Sequence, residues 1–115
     1  MQKIKSNSDN LYPVYYCDVN NLRELAELPI PTKYFSLLVC ADFRKISTED
    51  ISYIAETLLK KGNLYFCAWG ADCERAHDIY DEVIAFNEIQ YPVMTTWHDK
   101  ELLDDVLWFV LYNVS

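Results

Sequence analysis

A three-layer α/β sandwich with a mostly parallel sheet of three or four strands is the fold this chain predicts, and three observations carry it. Three apolar runs, at residues 34–41, 63–69 and 91–97, are nearly continuous rather than alternating, the pattern of strands covered on both faces. Amphipathic stretches separate and follow them, so the order from residue 34 is β-α-β-α-β-α, which joins parallel strands through right-handed crossovers. Finally, 115 residues, 51% of them hydrophobic and 15% aromatic, suit one domain over residues 1–115 rather than two. A chain of this size buries roughly two-thirds of its unfolded surface, enough for a core without staples.

Taken in order, the first ten residues, MQKIKSNSDN, are polar and without periodicity, so they are expected to be disordered or loosely attached. Residues 11–17 are expected to add an edge strand, and Asn21 to Leu28 a short helix ended by Pro29. After the first apolar run, Ser47 or Thr48 is placed to cap a helix with Glu49 and Asp50 in its first turn. Ile51, Ile54, Ala55, Leu58 and Leu59 form one buried stripe. Lys60 and Lys61 suit its C-terminal end, and Gly62 stops it. A second helix is expected from Asp72 as N-cap to about Phe86, with Cys73, Ala76, Ile79, Tyr80, Val83 and Ile84 on one arc. A third begins at Asp99 as N-cap. Its apolar set, Leu102, Leu103, Val106, Leu107, Phe109 and Val110, is too broad for a surface helix, so it is expected to pack on both the sheet and a neighbour.

Charge is unevenly placed. Residues 1–71 carry eight acidic and eight basic side chains, whereas residues 72–105 carry ten acids against Arg75 and Lys100, so the net −8 comes from there. Such a surface repels nucleic-acid phosphates and anionic membranes and attracts basic proteins. A solvated face kept for solubility is the plainer explanation. No run approaches the roughly 18 apolar residues of a membrane span, and the N-terminus does not read as a secretory signal. A cytoplasmic location is expected. Cys17, Cys40, Cys67 and Cys73 contain no C-x-x-C pair and fit that compartment when reduced, three of them in or beside apolar strand-like runs where a free thiol packs.

Parallel strands deliver their C-terminal ends to one edge, where open α/β folds bind ligands. The candidates there are Asp42 and Arg44 after the first strand. Trp69, Asp72, Cys73, Glu74 and His77 follow the second, and Trp97, His98 and Asp99 the third. Both histidines of the chain are among them. Cys73 and His77 at i and i+4 share a helix face and with His98 make a weak metal set. A packed thiol and a boundary histidine explain the same spacing. A cysteine at a helix N-terminus beside a histidine also has the makings of a nucleophile, although Asp72 and Asp99 as caps and Glu74 as a first-turn acid account for the carboxylates without chemistry. With only Gly62 and Gly70, the chain has no glycine loop for a nucleotide, and no cofactor is implied. Trp69 and Trp97 beside acids have the composition of an interaction surface.

The segment Cys67-Ala-Trp-Gly-Ala-Asp-Cys-Glu-Arg-Ala-His-Asp, followed by Thr95-Thr-Trp-His-Asp and Leu107-Trp-Phe, resembles a family of small bacterial domains of unknown function over roughly residues 34–112. The resemblance implies a bacterial, cytoplasmic protein and no particular activity. The sequence therefore reads best as a non-enzymatic interaction or regulatory module, of inhibitor or immunity type, with an acidic face and a basic protein as partner. The alternative is a small enzyme or metal-binding domain using Cys73, His77 and His98. Oligomeric state is not legible.

Overall fold

The computed structural model describes residues 2–4 and 14–114, with side chains from 14 to 112. Its centre is a three-stranded parallel sheet of β3 (Phe35–Cys40), β4 (Asn63–Trp69) and β5 (Met94–His98) in chain order. Helix α1 (Thr48–Lys60) joins the first two strands and α2 (Cys73–Phe86) the second two; α3 (Leu103–Phe109) follows and runs into a π-helical turn, Val110–Val114. The expected β-α-β-α-β-α order is thus present. The remaining expectation for residues 1–10, apart from 2–4, lies outside the described residues.

With strand order equal to chain order, right-handed crossovers put both connecting helices on one face, and α1 packs against α2 there. Phe66 and Ala68 of β4 point into this layer, where Phe66 stacks on Tyr80 of α2 with centroids 4.0 Å apart. Strand alternation turns Cys67 and Trp69 to the opposite face. There Phe109 of α3 packs against His98, centroids 5.1 Å apart. Helices therefore lie on both faces, densely on one and sparsely on the other. Among the described residues, no helix is long and apolar enough to cross a membrane.

Helix α1 follows its sequence signals closely. The Ser47 hydroxyl accepts from the Asp50 N–H at 3.1 Å, and the buried set is Ile51, Ile54, Ala55, Leu58 and Leu59. Gly62 follows at φ +106°, and a Cβ there would sit 1.9 Å from the Lys33 carbonyl oxygen. Only glycine satisfies both the dihedral and the close approach of β3's lead-in. The short helix predicted from Asn21 is a 3-10 helix, Leu22–Glu27, with the Asn21 side chain accepting from Arg23 N–H.

One buried polar network sits where β4 starts. Fully buried Asn63 donates to the carbonyls of Phe35, at 3.2 Å, and Tyr65, at 3.0 Å, and accepts from the Tyr80 hydroxyl. Burial pushes the Tyr80 phenol well above its ordinary pKa, so it remains a donor and the network stays satisfied.

Several expectations need correction. The N-terminal strand is β2 (Val14–Tyr16), and it pairs antiparallel with β1 (Gln2–Ile4) in a separate two-stranded sheet instead of edging the parallel one. Asp72 precedes α2 but does not cap it: its backbone is left-handed, φ 62°, and its carboxylate goes to Arg75 Nε at 2.8 Å. Asp99 is not the N-cap of α3, because His98 is still strand and the helix starts four residues later, at Leu103, after Leu102. The broad apolar set of α3 is covered only in part: Phe109 packs on the sheet at His98 and Leu103 and Val110 are partly buried, but among the described residues no second neighbour covers the rest. Only Val106 is buried, while Leu102 is 74% and Trp108 60% exposed.

Candidate functional site

The strand ends do converge as the topology requires, but the candidate residues fall into three separate groups. The first is ionic. Asp42 caps the short helix Phe43–Lys45 and holds Arg44 through two hydrogen bonds of 2.8 Å. The paired Arg44 guanidinium lowers the Asp42 carboxyl to about 2, so both remain charged and mutually satisfied.

Arg75 is the organiser nearby. Its guanidinium donates to the carbonyls of Phe43, at 2.8 Å, and Ile46, at 2.6 Å, to the Thr48 hydroxyl at 3.2 Å, and to Asp72. One side chain thus ties the loop after β3 and the start of α1 to the start of α2. The planar fork of arginine suits four such acceptors, as a lysine would not. Asp72 is accordingly a positioning partner for Arg75. Cys73, next in sequence, is fully buried; burial pushes its thiol and that of Cys67 up, the reverse of what an activated nucleophile needs. Glu74 stands exposed in the first turn of α2.

The second group surrounds His77. Its ring lies 4.5 Å from Trp97 on the α1/α2 side of the sheet, with Nδ1 2.9 Å from Asp78 and Nε2 3.3 Å from Asp81. Asp81 also accepts from the Thr95 hydroxyl at 2.6 Å. The third group surrounds His98 on the opposite face. Its Nε2 is 3.0 Å from the Thr96 hydroxyl, and its Nδ1 is 3.0 and 3.1 Å from the two Glu101 oxygens. The Trp69 indole donates to the Glu101 carbonyl at 2.9 Å, and Phe109 covers the ring. Asp99 is exposed beside it.

Trp97 and His98 are neighbours in a strand, so they point to opposite faces. This separates His77 from His98 and dissolves the Cys73–His77–His98 grouping. Among the described residues no set of three or more His, Cys, Asp and Glu side chains is arranged to hold a metal ion. The residues that complete each histidine's environment, Asp78 and Asp81 for one and Thr96 and Glu101 for the other, were not singled out as its partners from the sequence. The i, i+4 spacing of His77 to Asp81 and the i, i+3 spacing of His98 to Glu101 were the available signals.

The other surface of note is apolar. On α3 and at either end of it, Leu102, Leu107, Trp108 and Tyr112 are all exposed, the Trp108 and Tyr112 rings lying 5.3 Å apart. Asp99, Glu101, Asp104 and Asp105, all exposed, are interspersed with them.

The chain belongs to the family described as Domain of unknown function (DUF7684), which residues 14–115 match. Neither curated proteins nor solved structures give a match.

Proposed function

We propose that this member of the family is a protein-interaction module whose α3 surface docks a basic protein. The observation that supports this best is the exposed set Leu102, Leu107, Trp108 and Tyr112 set among acids. Apolar side chains on a helix are ordinarily turned to the core, as Val106 and Phe109 are; these four lie outside that stripe and face solvent, with Trp and Tyr as rigid anchors of the kind that dominate interfaces. The carboxylates around it belong to the segment that carries the whole net charge of −8, which selects a cationic partner and speeds its encounter. The buried, protonated thiols favour binding over covalent chemistry. Four free cysteines suit a reducing cytoplasm, and a bacterial inhibitor or immunity-type role fits a small acidic binder.

The test is isolation of the partner from native cells, followed by affinity measurement with the purified pair. A basic partner is expected, released by high salt, lost with Leu102→Ser/Trp108→Ser, and retained with Cys73→Ala. A neutral or acidic partner, or binding indifferent to the double substitution, overturns the reading.

A second reading, acid–base chemistry at His98, draws on the hydroxyl–imidazole–carboxylate chain of Thr96, His98 and Glu101. It ranks behind the first because the imidazole is 7% exposed and lies under Phe109, which leaves little access for a substrate.

A further inference from the structure

Strand β5 is the last strand of its sheet, and among the described residues no strand pairs along its outer side. A free edge offers a row of backbone N–H and C=O groups to any extended chain, and proteins that avoid such pairing blunt the edge with a charge, a proline or a bulge. Met94-Thr95-Thr96-Trp97-His98 contains neither a charged Lys, Arg, Asp or Glu nor a proline. Its register with β4 runs without a shift from Met94 to His98. Two adjacent β-branched threonines keep it extended. Among the described residues the edge therefore carries none of these three guards.

Its flank is not neutral. On the helical side, Asp81 is hydrogen-bonded to Thr95 and Asp78 is held by His77, and both carboxylates are at least half exposed. Each carboxylate has about four lone-pair sites, so capacity remains beyond these bonds. Trp97, 40% exposed, lies beside His77 on the same side, the two rings 4.5 Å apart and tilted. A strand laid along β5 would present every second side chain to this side. A guanidinium there would meet two carboxylates and an indole, and cation–π contact adds to charge pairing. The far edge of the sheet, β3, instead has Lys33 before it and Arg44 and Lys45 after it, so the same basic segment would find no such flank there.

We infer that the outer edge of β5 accepts an extended, cation-bearing segment of the partner as an added strand, its Arg or Lys side chains directed to Asp78 and Asp81. This rests on the reading of a basic partner and adds where and how its chain is held. The mode is β-strand addition, in which the main chain supplies affinity and alternate side chains supply specificity.

The probe is a blocked eight-residue peptide of alternating Arg and Thr, titrated into the isotope-labelled domain and followed by backbone amide resonances and hydrogen exchange. Shifts centred on Met94–His98 are expected, with slowed exchange of the outward amides. Methylating alternate peptide nitrogens on the pairing edge should abolish binding while leaving the charge intact. Asp78→Asn/Asp81→Asn should weaken the parent peptide by about threefold to tenfold, as two exposed charge pairs allow. Equal binding of the methylated peptide, or shifts centred on Leu102 and Trp108, overturns strand addition while leaving the basic-partner reading intact. Failure of the parent peptide to bind overturns it too, the partner reading being decided separately by the folded partner and the Leu102→Ser/Trp108→Ser variant. Growth of the domain itself into oligomers that occupy β5 would assign the edge to a second copy and overturn it equally.

Discussion

At the scale of single residues, the carboxylates of this protein have distinct tasks that their sequence positions disguise. Asp42 and Asp72 both follow a strand and precede a helical segment, and each is taken up by an arginine two or three residues on. Asp42 also keeps its capping role, because its backbone is extended, whereas Asp72 at φ 62° points its side chain away from the helix N–H groups. The Asp42 pair makes a definite pH prediction. Its carboxyl is held at about 2 against an ordinary 3.8, chiefly by Arg44. A carboxyl lowered on folding stabilises the fold fully above its unfolded pKa, and that contribution fades as pH falls from there through the folded value. The window is thus from about 3.8 down to about 2. Arg44 is exposed and Asp42 partly so, and the stabilisation itself is small. NMR titration should find Asp42 ionising near 2, and Arg44→Ala should return it to the ordinary range; an unchanged midpoint would remove the arginine as the cause.

Elements differ in how openly the sequence announced them. Helix α1 was legible to within a residue because every local signal agrees: a serine or threonine cap, first-turn acids, an apolar stripe and a glycine stop. The strands were legible because continuous apolar runs admit few other structures at that length. What stayed hidden had tertiary causes. The start of α2 is set by Arg75 reaching back to the Phe43 and Ile46 carbonyls, a long-range bond that no capping rule contains. The start of α3 is delayed because β5 extends to His98, and Leu102, not an aspartate, takes the cap position. The candidate rim was legible as a list of residues but not as a site, since neighbouring strand residues face opposite layers. The end of α2 yields a prediction of its own. Glu88 lies one residue past the C-cap Asn87 with φ 51°, the left-handed position that helices commonly fill with glycine. A side chain there is strained and Gly is not, so Glu88→Gly should raise stability by about 0.5–1 kcal/mol. Denaturant unfolding would measure it, and a loss of stability would show that Glu88 makes compensating contacts.

The molecule as a whole has two unequal sides. The α1/α2 side carries the main core, with Phe66, Tyr80 and the stripes of both helices packed to near-complete burial. The α3 side is thinner: among the described residues it includes one buried valine, the Phe109 ring on His98, the Glu101 bonds to His98 and the indole bond from Trp69. If the apolar residues of α3 served the fold, removing them would cost what core residues cost. If they serve a partner, the isolated domain should scarcely register their loss. Val106→Ala removes two buried methyl-sized groups and leaves a cavity, an expected loss of about 2–3 kcal/mol. For a domain of this size that lowers Tm by roughly 5–15 °C. Leu102→Ser with Trp108→Ser removes more apolar surface but from exposed positions, where substitutions change stability by about 0.5 kcal/mol or less. Thermal unfolding of the two variants beside the parent separates the cases. A double variant as unstable as Val106→Ala would make the exposed apolar side chains part of the fold and remove the surface on which docking depends. A double variant that melts with the parent leaves those side chains without a structural task, and binding is then the task that accounts for their exposure.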